Sequence, residues 1–188
     1  APFVNSISVV PSTNNQSATV GTPFATNLQA LVKDQNGDPF PGVSVTFGNN
    51  QGSFASNVAV LTDSNGVATA SVYTANSVSG ANAPTATVTG SNPQLRADFS
   101  LTNLVGQPAS LLSQGAAQSA TVTTVFSDAL RAKVTDSFGN PIPGVTVTFN
   151  AGGAGAIAGG NTAVTDASGV ATSGAVTAGT AAGLYTPT

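Results

Sequence analysis

The chain has 188 residues, a net charge of −3 and charged side chains at only 6% of its positions, against roughly 25% in an average globular protein. It contains no Cys, His, Met or Trp, and its acidic residues are all Asp. This composition excludes nucleophilic catalysis by a Ser-His-Asp or Cys-His arrangement. Four basic residues are too few to displace counterions from phosphates, so we expect no nucleic-acid partner.

The remaining composition favours a location outside the cell. Solubility must come from Ser, Thr, Asn and Gln, which is more typical of an extracellular bacterial repeat than of a cytosolic enzyme. No run of about 20 apolar residues exists, so no direct membrane span is expected. The chain begins "APFVNSISVV" without a signal-peptide pattern, which predicts an interior piece of a longer protein. No phosphate-binding loop or metal-binding cluster is present, so we expect no cofactor.

The apolar residues alternate with a period of two, which predicts strands with one buried face. In the first half of the chain, Leu28, Ala30 and Val32 form one such face, and Val43, Val45 and Phe47 form another. Further strands are predicted, in chain order, at 5–10, 17–20, 59–62, 67–74, 85–90 and 95–101. No stretch shows strong helix formers at helical spacing, so the prediction is all-β.

Turn residues separate the predicted strands. In "DQNGDPFPGVSVTF", residues 34–47, Asn36-Gly37 can supply a positive φ, and Pro39 removes an amide donor just before a strand. Asn65-Gly66 predicts a hairpin whose turn is capped by the Asp63 side chain.

The chain repeats itself. "DSFGNPIPGVTVTF" at 136–149 copies residues 34–47, "QSATV" occurs at 16–20 and 118–122, and "TDASGVAT" at 165–172 matches "TDSNGVAT" at 62–69. We therefore predict two domains, residues 1–102 and 103–188, joined by a short linker within "LTNLVGQPAS". A linker this short predicts a semi-rigid pair.

Short strands with regular turns at this length predict a β-sandwich. The segments "VKDQNGDPFPGVSVTF…LTDSNGVATASV" and "KVTDSFGNPIPGVTVTF…VTDASGVATSGAV" resemble the group 1 bacterial Ig-like domain (Big-1), the tandem module of invasin- and intimin-type surface adhesins. The resemblance implies two tandem immunoglobulin-like β-sandwiches whose partners are adjacent Ig-like repeats of a longer chain. It also implies an extracellular location at the bacterial surface, in an outer-membrane-anchored or secreted protein.

The second copy is shorter than the first. It stops at "AAGLYTPT", before any counterpart of Leu95, Ala97 and Phe99, which are predicted to form the last strand of copy one. The second sandwich is therefore predicted to lack its last strand. We expect it either to leave an edge unpaired or to take up a strand from another molecule, because open edges recruit strands.

Two groups of residues are candidates for a site. Asp34, Asn36 and Asp38 have the spacing of the first calcium ligands of an EF-hand loop, but turn capping is the favoured interpretation because the later ligands are missing. Phe40 and Phe138 lie in predicted turns and are candidates for contact with a partner. The aromatic residues that recur within strands are expected in the core: Phe24, Phe47, Phe126 and Phe149.

Three functions remain open. The favoured one is a pair of stalk or spacer modules, without enzymatic activity, that project the binding region of a large bacterial adhesin from the cell. The second is a binding module that contacts a host receptor, a polysaccharide or a neighbouring cell. The third is a pair of accessory domains of a secreted enzyme. The Gly-, Asn- and Ala-rich loops at 48–58 and 150–161 favour the spacer.

Overall fold

A computed structural model describes residues 1–48, 51–56, 59–152 and 155–188. The chain divides into two compact units, Ala1–Leu104 and Val105–Thr188. We call them unit 1 and unit 2. The boundary falls two residues after the predicted one. Half of the predicted linker belongs to strands, since Leu104 ends the last strand of unit 1 and Ser110 begins the first strand of unit 2.

Unit 1 contains twelve short strands and one 3-10 turn, Pro11–Thr13, among its described residues. The strands are β1 (Val4–Val9), β2 (Ser17–Thr19), β3 (Gln29–Asp34), β4 (Ser44–Gly48), β5 (Gly52–Phe54), β6 (Val60–Leu61), β7 (Val67–Thr69), β8 (Tyr73–Ala75), β9 (Gly80–Asn82), β10 (Thr85–Val88), β11 (Arg96–Asp98) and β12 (Leu101–Leu104). The all-β prediction is confirmed, although several predicted strands are split into shorter ones.

The strands of unit 1 form a sandwich. One sheet has the order β1-β3-β7 and another the order β11-β10-β4-β6, and smaller sheets β2-β12-β9 and β5-β8 complete the unit. The alternating apolar residues point between the sheets, so that Ala30, Val32 and Val45 are fully buried in one continuous core. Burial of these side chains is the main stabilising term of the unit.

Unit 2 contains seven strands among its described residues: β13 (Ser110–Gln114), β14 (Arg131–Thr135), β15 (Thr146–Thr148), β16 (Gly155–Ile157), β17 (Thr162–Val164), β18 (Val170–Thr172) and β19 (Val176–Ala178). They form the sheets β13-β14-β18, β15-β17 and β16-β19. Val134, Val147 and Phe149 are central to its core. The chain is therefore two Ig-like β-sandwich units in tandem, as predicted.

Equivalent strands of the two units pair in the same register. Ala30 lies opposite Ala68 in unit 1, and Ala132 lies opposite Ala171 in unit 2. The pairs β4–β6 and β15–β17 also match, as do β5–β8 and β16–β19. The repeated sequence therefore specifies a repeated hydrogen-bond pattern, and not only a repeated composition.

The turn predictions are confirmed at the glycines. Gly37 and Gly139 both have a φ of 86°, and Gly66 has a φ of 70°. At Gly66 a Cβ atom would lie 2.6 Å from the carbonyl oxygen of Val32, so this position requires glycine for space as well as for conformation.

More strands of unit 1 have no counterpart among the described residues of unit 2 than the comparison of the two repeats predicted. Pro84-Thr85 of unit 1 corresponds to Pro187-Thr188, and in unit 1 the strands β10, β11 and β12 all begin at or after Thr85. Among the described residues of unit 2, counterparts of all three strands are therefore absent, including the predicted last one. Each of these strands makes backbone pairs in unit 1.

Candidate functional site

The calcium candidates in unit 1 form a closed turn. The Asp34 side chain is buried, and its Oδ1 accepts hydrogen bonds from the backbone N–H groups of Asn36 at 2.8 Å and Asp38 at 3.0 Å. Asn36 also directs its side-chain NH₂ toward Asp34 Oδ2, at 3.4 Å. These donors occupy the carboxylate, whereas calcium requires several converging oxygen ligands. The geometry therefore favours the turn-capping interpretation.

Asp136 holds the equivalent turn of unit 2 with more hydrogen bonds. Its Oδ1 accepts from the backbone N–H groups of Phe138 and Asn140, both at 2.9 Å, and its Oδ2 accepts from Asn140 Nδ2 and Gly106 N, also at 2.9 Å. Burial raises the pKa of the Asp136 carboxyl, but the four hydrogen bonds outweigh it and hold the pKa below its ordinary value. The buried carboxylate therefore stays charged and ties the segment before β13 to the turn.

Two further Asp residues cap hairpin turns, and at Asp63 the cap was predicted. Asp63 Oδ1 accepts from the backbone N–H groups of Asn65 and Val67, both at 2.9 Å, and Asp166 does the same for Ser168 and Val170. Within the described ranges, no group of three or more Asp, Glu, His or Cys residues could hold a metal ion.

The two aromatic contact candidates lie in different environments. Phe40 is half-buried and packs against the core of unit 1, and its carbonyl oxygen accepts a hydrogen bond from Thr62 Oγ1. Its equivalent, Ile142, is buried. Phe138 is 53% exposed, at a position where unit 1 has Asn36. Of the two, Phe138 has the more exposed side chain.

Unit 1 also contains a buried polar network that the sequence analysis missed. The Tyr73 hydroxyl donates to Asn82 Oδ1 at 2.8 Å, and Asn82 Nδ2 donates to Asn103 Oδ1 at 3.0 Å. Asn103 Nδ2 in turn donates to Asn76 Oδ1 at 2.7 Å. These amides satisfy one another and connect β8, β9 and β12, so their role is structural.

A groove of about 680 Å³ opens on unit 2. It is mainly apolar, and its lining includes Ala120, Val122, Phe126, Leu130, Val176 and Leu184. Phe126 was predicted to be a core residue and is only half-buried, whereas Phe24, Phe47 and Phe149 are buried as predicted. The groove could have been predicted from the sequence, because copy two contains "QSATV" but no counterpart of Phe99 and Leu101, which belong to the core in unit 1.

The groove lies where unit 1 places its last strand. In unit 1, β12 runs parallel to β2, with Asn103 opposite Ala18, and Leu104 O accepts a hydrogen bond from Val20 N at 2.9 Å. Val20 is consequently 3% exposed, whereas the equivalent Val122 is 38% exposed. Residues 118–122 have the same sequence as 16–20 but form no strand, because they have no strand to pair with.

No protein-family model matches the sequence, and no curated protein matches it significantly. The solved structures similar to it include the D0-D1 domain of intimin (17% identity, TM-score 0.39), invasin, a bacterial integrin-binding protein (20%, 0.41), and the Yersinia pseudotuberculosis adhesin InvE (19%, 0.41). The matches cover 96%, 99% and 91% of this chain and 87%, 35% and 50% of those chains, respectively. Within the described part of the chain, no helix is long and apolar enough to cross a membrane.

Proposed function

We propose that the two units are non-enzymatic spacer modules of a large bacterial surface or secreted adhesin, which hold a binding region away from the cell. The main support for this proposal is that the Asp residues repeated in both units hold turns of the fold together. Asp34, Asp63, Asp136 and Asp166 all direct carboxylate oxygens at backbone N–H groups of their own turns. The most distinctive polar residues of the repeat are therefore used to build the fold.

The matching strand registers of the two units also support a spacer. A module that adds length has to reproduce one fold reliably, whereas a binding module has to display a surface that differs from that of its neighbours. The low charge and the resemblance of "PGVSVTF" and "TDSNGVAT" to the repeats of bacterial adhesins agree with this role at the cell surface. Assignment to the group 1 bacterial Ig-like domains is part of the proposal.

The spacer function is tested by measuring how far the chain holds another protein from the cell surface. The chain would be inserted once, twice or three times beneath a fluorescent protein displayed on a bacterial surface, and the height of the fluorophore above the membrane measured by super-resolution microscopy. Height should increase with each inserted copy. A flexible Gly-Ser segment of equal residue number is the matched control, because a random coil gains end-to-end distance only with the square root of its length. Equal heights for chain and control would contradict the proposal.

A second candidate function is a binding module, and Phe138 is the observation that favours it. Its ring is 53% exposed in a turn where unit 1 carries Asn36. Aromatic residues, including Phe, are enriched in the buried centre of protein–protein interfaces. The labelled chain and its Phe138→Asn variant would be compared for binding to bacterial cells, host cells and a glycan array. Saturable binding that the variant loses would favour this function over the spacer.

A further inference from the structure

Unit 1 contains two Asn-Gly pairs, Asn36-Gly37 and Asn65-Gly66, and unit 2 contains none, since Phe138 and Ser168 precede the equivalent glycines. An asparagine before glycine is able to modify itself. The backbone nitrogen of the glycine attacks the side-chain carbonyl carbon of the asparagine, ammonia leaves, and a cyclic succinimide forms. Water then opens the ring to aspartate or to isoaspartate, in which the main chain runs through the former side chain. Glycine favours the attack because it has no side chain to obstruct it.

The turn that holds Asn65 is anchored at the surface. Asn65 and Asp63 are both exposed, and Asp63 Oδ1 accepts hydrogen bonds from the backbone N–H groups of Asn65 and Val67. Among the described residues, the side-chain amide of Asn65 has no hydrogen-bond partner. No side-chain bond therefore has to break when this amide rotates toward the nitrogen of Gly66.

One hydrogen bond restrains the attacking nitrogen. Gly66 N donates to Asp63 O at 2.9 Å, and this bond has to open before the nitrogen reaches the Asn65 side chain. The strand that follows, β7, lies at the end of the sheet β1-β3-β7, and within the described ranges it pairs with β3 alone. A segment held by few backbone bonds opens locally at a lower free energy than the whole unit unfolds. The reaction at Asn65 therefore does not require unit 1 to unfold.

Asn36 is held more firmly than Asn65. Its side-chain NH₂ is directed toward Asp34 Oδ2 at 3.4 Å, and Asp34 is buried, whereas Asp63 is exposed. Asp34 N also donates to Asp38 O at 2.9 Å. Opening this turn would leave a buried carboxylate without its hydrogen bonds, which costs more free energy than opening a turn at the surface.

The hairpin has no room for isoaspartate at position 65. A Cβ atom on Gly66 would lie 2.6 Å from Val32 O and 2.8 Å from Phe40 N, so the backbone around this glycine is closely packed. Isoaspartate lengthens the main chain by a CH₂ group just before Gly66, which must then shift. The shift would break the hydrogen bond from Val32 N to Gly66 O, at 2.8 Å, and weaken the pairing of β3 with β7.

We propose that Asn65 is a self-modification site. Gly66 N attacks the Cγ atom of Asn65, its proton leaves with the ammonia, and water opens the succinimide to aspartate or isoaspartate and returns a proton to Gly66 N. The isoaspartate form loosens the pairing of β3 with β7. Each event also adds a negative charge to a chain whose net charge is −3, so that unit 1 carries a mark of the age of the chain. The inference does not depend on the spacer function.

The test is prolonged incubation of the whole folded chain at neutral pH. Mass spectrometry of chymotryptic peptides measures the fractions of aspartate and isoaspartate at each asparagine over time. We expect Asn65 to convert at least about fivefold faster than Asn36, since the Asn36 turn has to give up hydrogen bonds to a buried carboxylate. In the urea-unfolded chain the two should convert at similar rates, because the same Asn-Gly pair is then unrestrained at both positions.

Two variants locate the reaction. Asn65→Ser, which places the residue of unit 2 in this turn, should abolish the reaction there and leave the rate at Asn36 unchanged. Ser168→Asn creates an Asn-Gly pair in the equivalent hairpin of unit 2, where Asp166 caps the turn in the same way. This position should become reactive, at a rate within about threefold of that of Asn65.

The structural consequence is measured by hydrogen exchange. Chains enriched in isoaspartate by ion-exchange chromatography should exchange the amide of Val32 at least about tenfold faster than unmodified chains, because its bond to Gly66 O is lost. The Asn65→Asp variant is the matched control. It has the added charge but a normal main chain, and its Val32 amide should exchange like that of the wild type.

Three results would overturn the proposal. The first is conversion of Asn36 in the folded chain at a rate equal to or above that of Asn65. The second is an unmodified Asn65 in the folded chain after a period in which the unfolded chain has converted. The third is unchanged exchange of Val32 in chains that carry isoaspartate at position 65.

Discussion

Replacing Asp136 by Asn tests the proposed role of the buried acidic turn. The carboxylate accepts four hydrogen bonds, and an amide can keep only the two at Oδ1, from Phe138 N and Asn140 N. In place of Oδ2 the asparagine would carry an NH₂ group, which cannot accept the hydrogen bonds from Gly106 N and Asn140 Nδ2. Hydrogen bonds to a charged group each contribute about 1.5–3 kcal/mol, so losing two should cost unit 2 about 3 kcal/mol or more at pH 7.

The effect should depend on pH in a defined direction. The pKa of Asp136 in the folded state lies below its ordinary value, so its contribution to stability is complete above the unfolded-state pKa, about 3.9, and is lost as the pH falls through the folded-state pKa. One such group changes the free energy of unfolding by at most about 1.4 kcal/mol per pH unit. The difference between wild type and Asp136→Asn should therefore shrink below about pH 4.

The assay is urea unfolding between pH 3 and pH 7, followed by hydrogen-exchange mass spectrometry so that unit 2 is resolved from unit 1. Asp166→Asn is the matched control, since Asp166 also caps a turn with two N–H bonds but is exposed. Its cost should stay within about 0.5 kcal/mol. If Asp136→Asn destabilised unit 2 no more than this control, or if its effect were the same at pH 3 and pH 7, the reasoning would be refuted.

Three further predictions concern the fold and the exposed aromatic residue. Gly66→Ala should destabilise unit 1 by at least about 1 kcal/mol in urea unfolding, because φ is 70° and the new Cβ would lie 2.6 Å from a backbone oxygen of β3. The control is Gly37→Ala, which should cost less because the position has open space around it, although φ is 86°. Tyr73→Phe should lower the thermal midpoint of unit 1, since it removes the hydroxyl bonded to Asn82 and costs about 1 kcal/mol. Phe138→Asn should change the free energy of unfolding by no more than about 0.5 kcal/mol, because the ring is 53% exposed; a larger loss would mean that the ring supports the fold.

Several features were predictable because the forces that set them are local. The positive φ at Gly37 and Gly66 follows from turn sequences that glycine satisfies without strain. The cap at Asp63 follows from the short reach of its side chain to the next backbone amides. The alternation in β4 fixes which face is buried.

The candidate site was less predictable. Phe40 and Phe138 occur in similar turn sequences, yet one packs against the core and the other is exposed. Their difference follows from their positions in the repeated turn, since Phe40 is the equivalent of the buried Ile142 and Phe138 is the equivalent of the exposed Asn36. The occupied carboxylate of Asp34 was within reach of sequence reasoning as a turn cap, whereas the fourth bond to Asp136, from Gly106, joins residues 30 positions apart.

The segment "QSATV" separates what the sequence alone determined from what the tertiary structure decided. The sequence determined the repeat, the strand period, the turns and the all-β class, because each of these depends on neighbours along the chain. It did not determine whether "QSATV" is a strand. At 16–20 it contains β2, and Ala18 and Val20 are buried, since β12 supplies the hydrogen-bond partners, whereas at 118–122 the same residues have no such partner and line an open groove. A strand exists only when a second strand satisfies its backbone, and in this protein that second strand is distant in sequence.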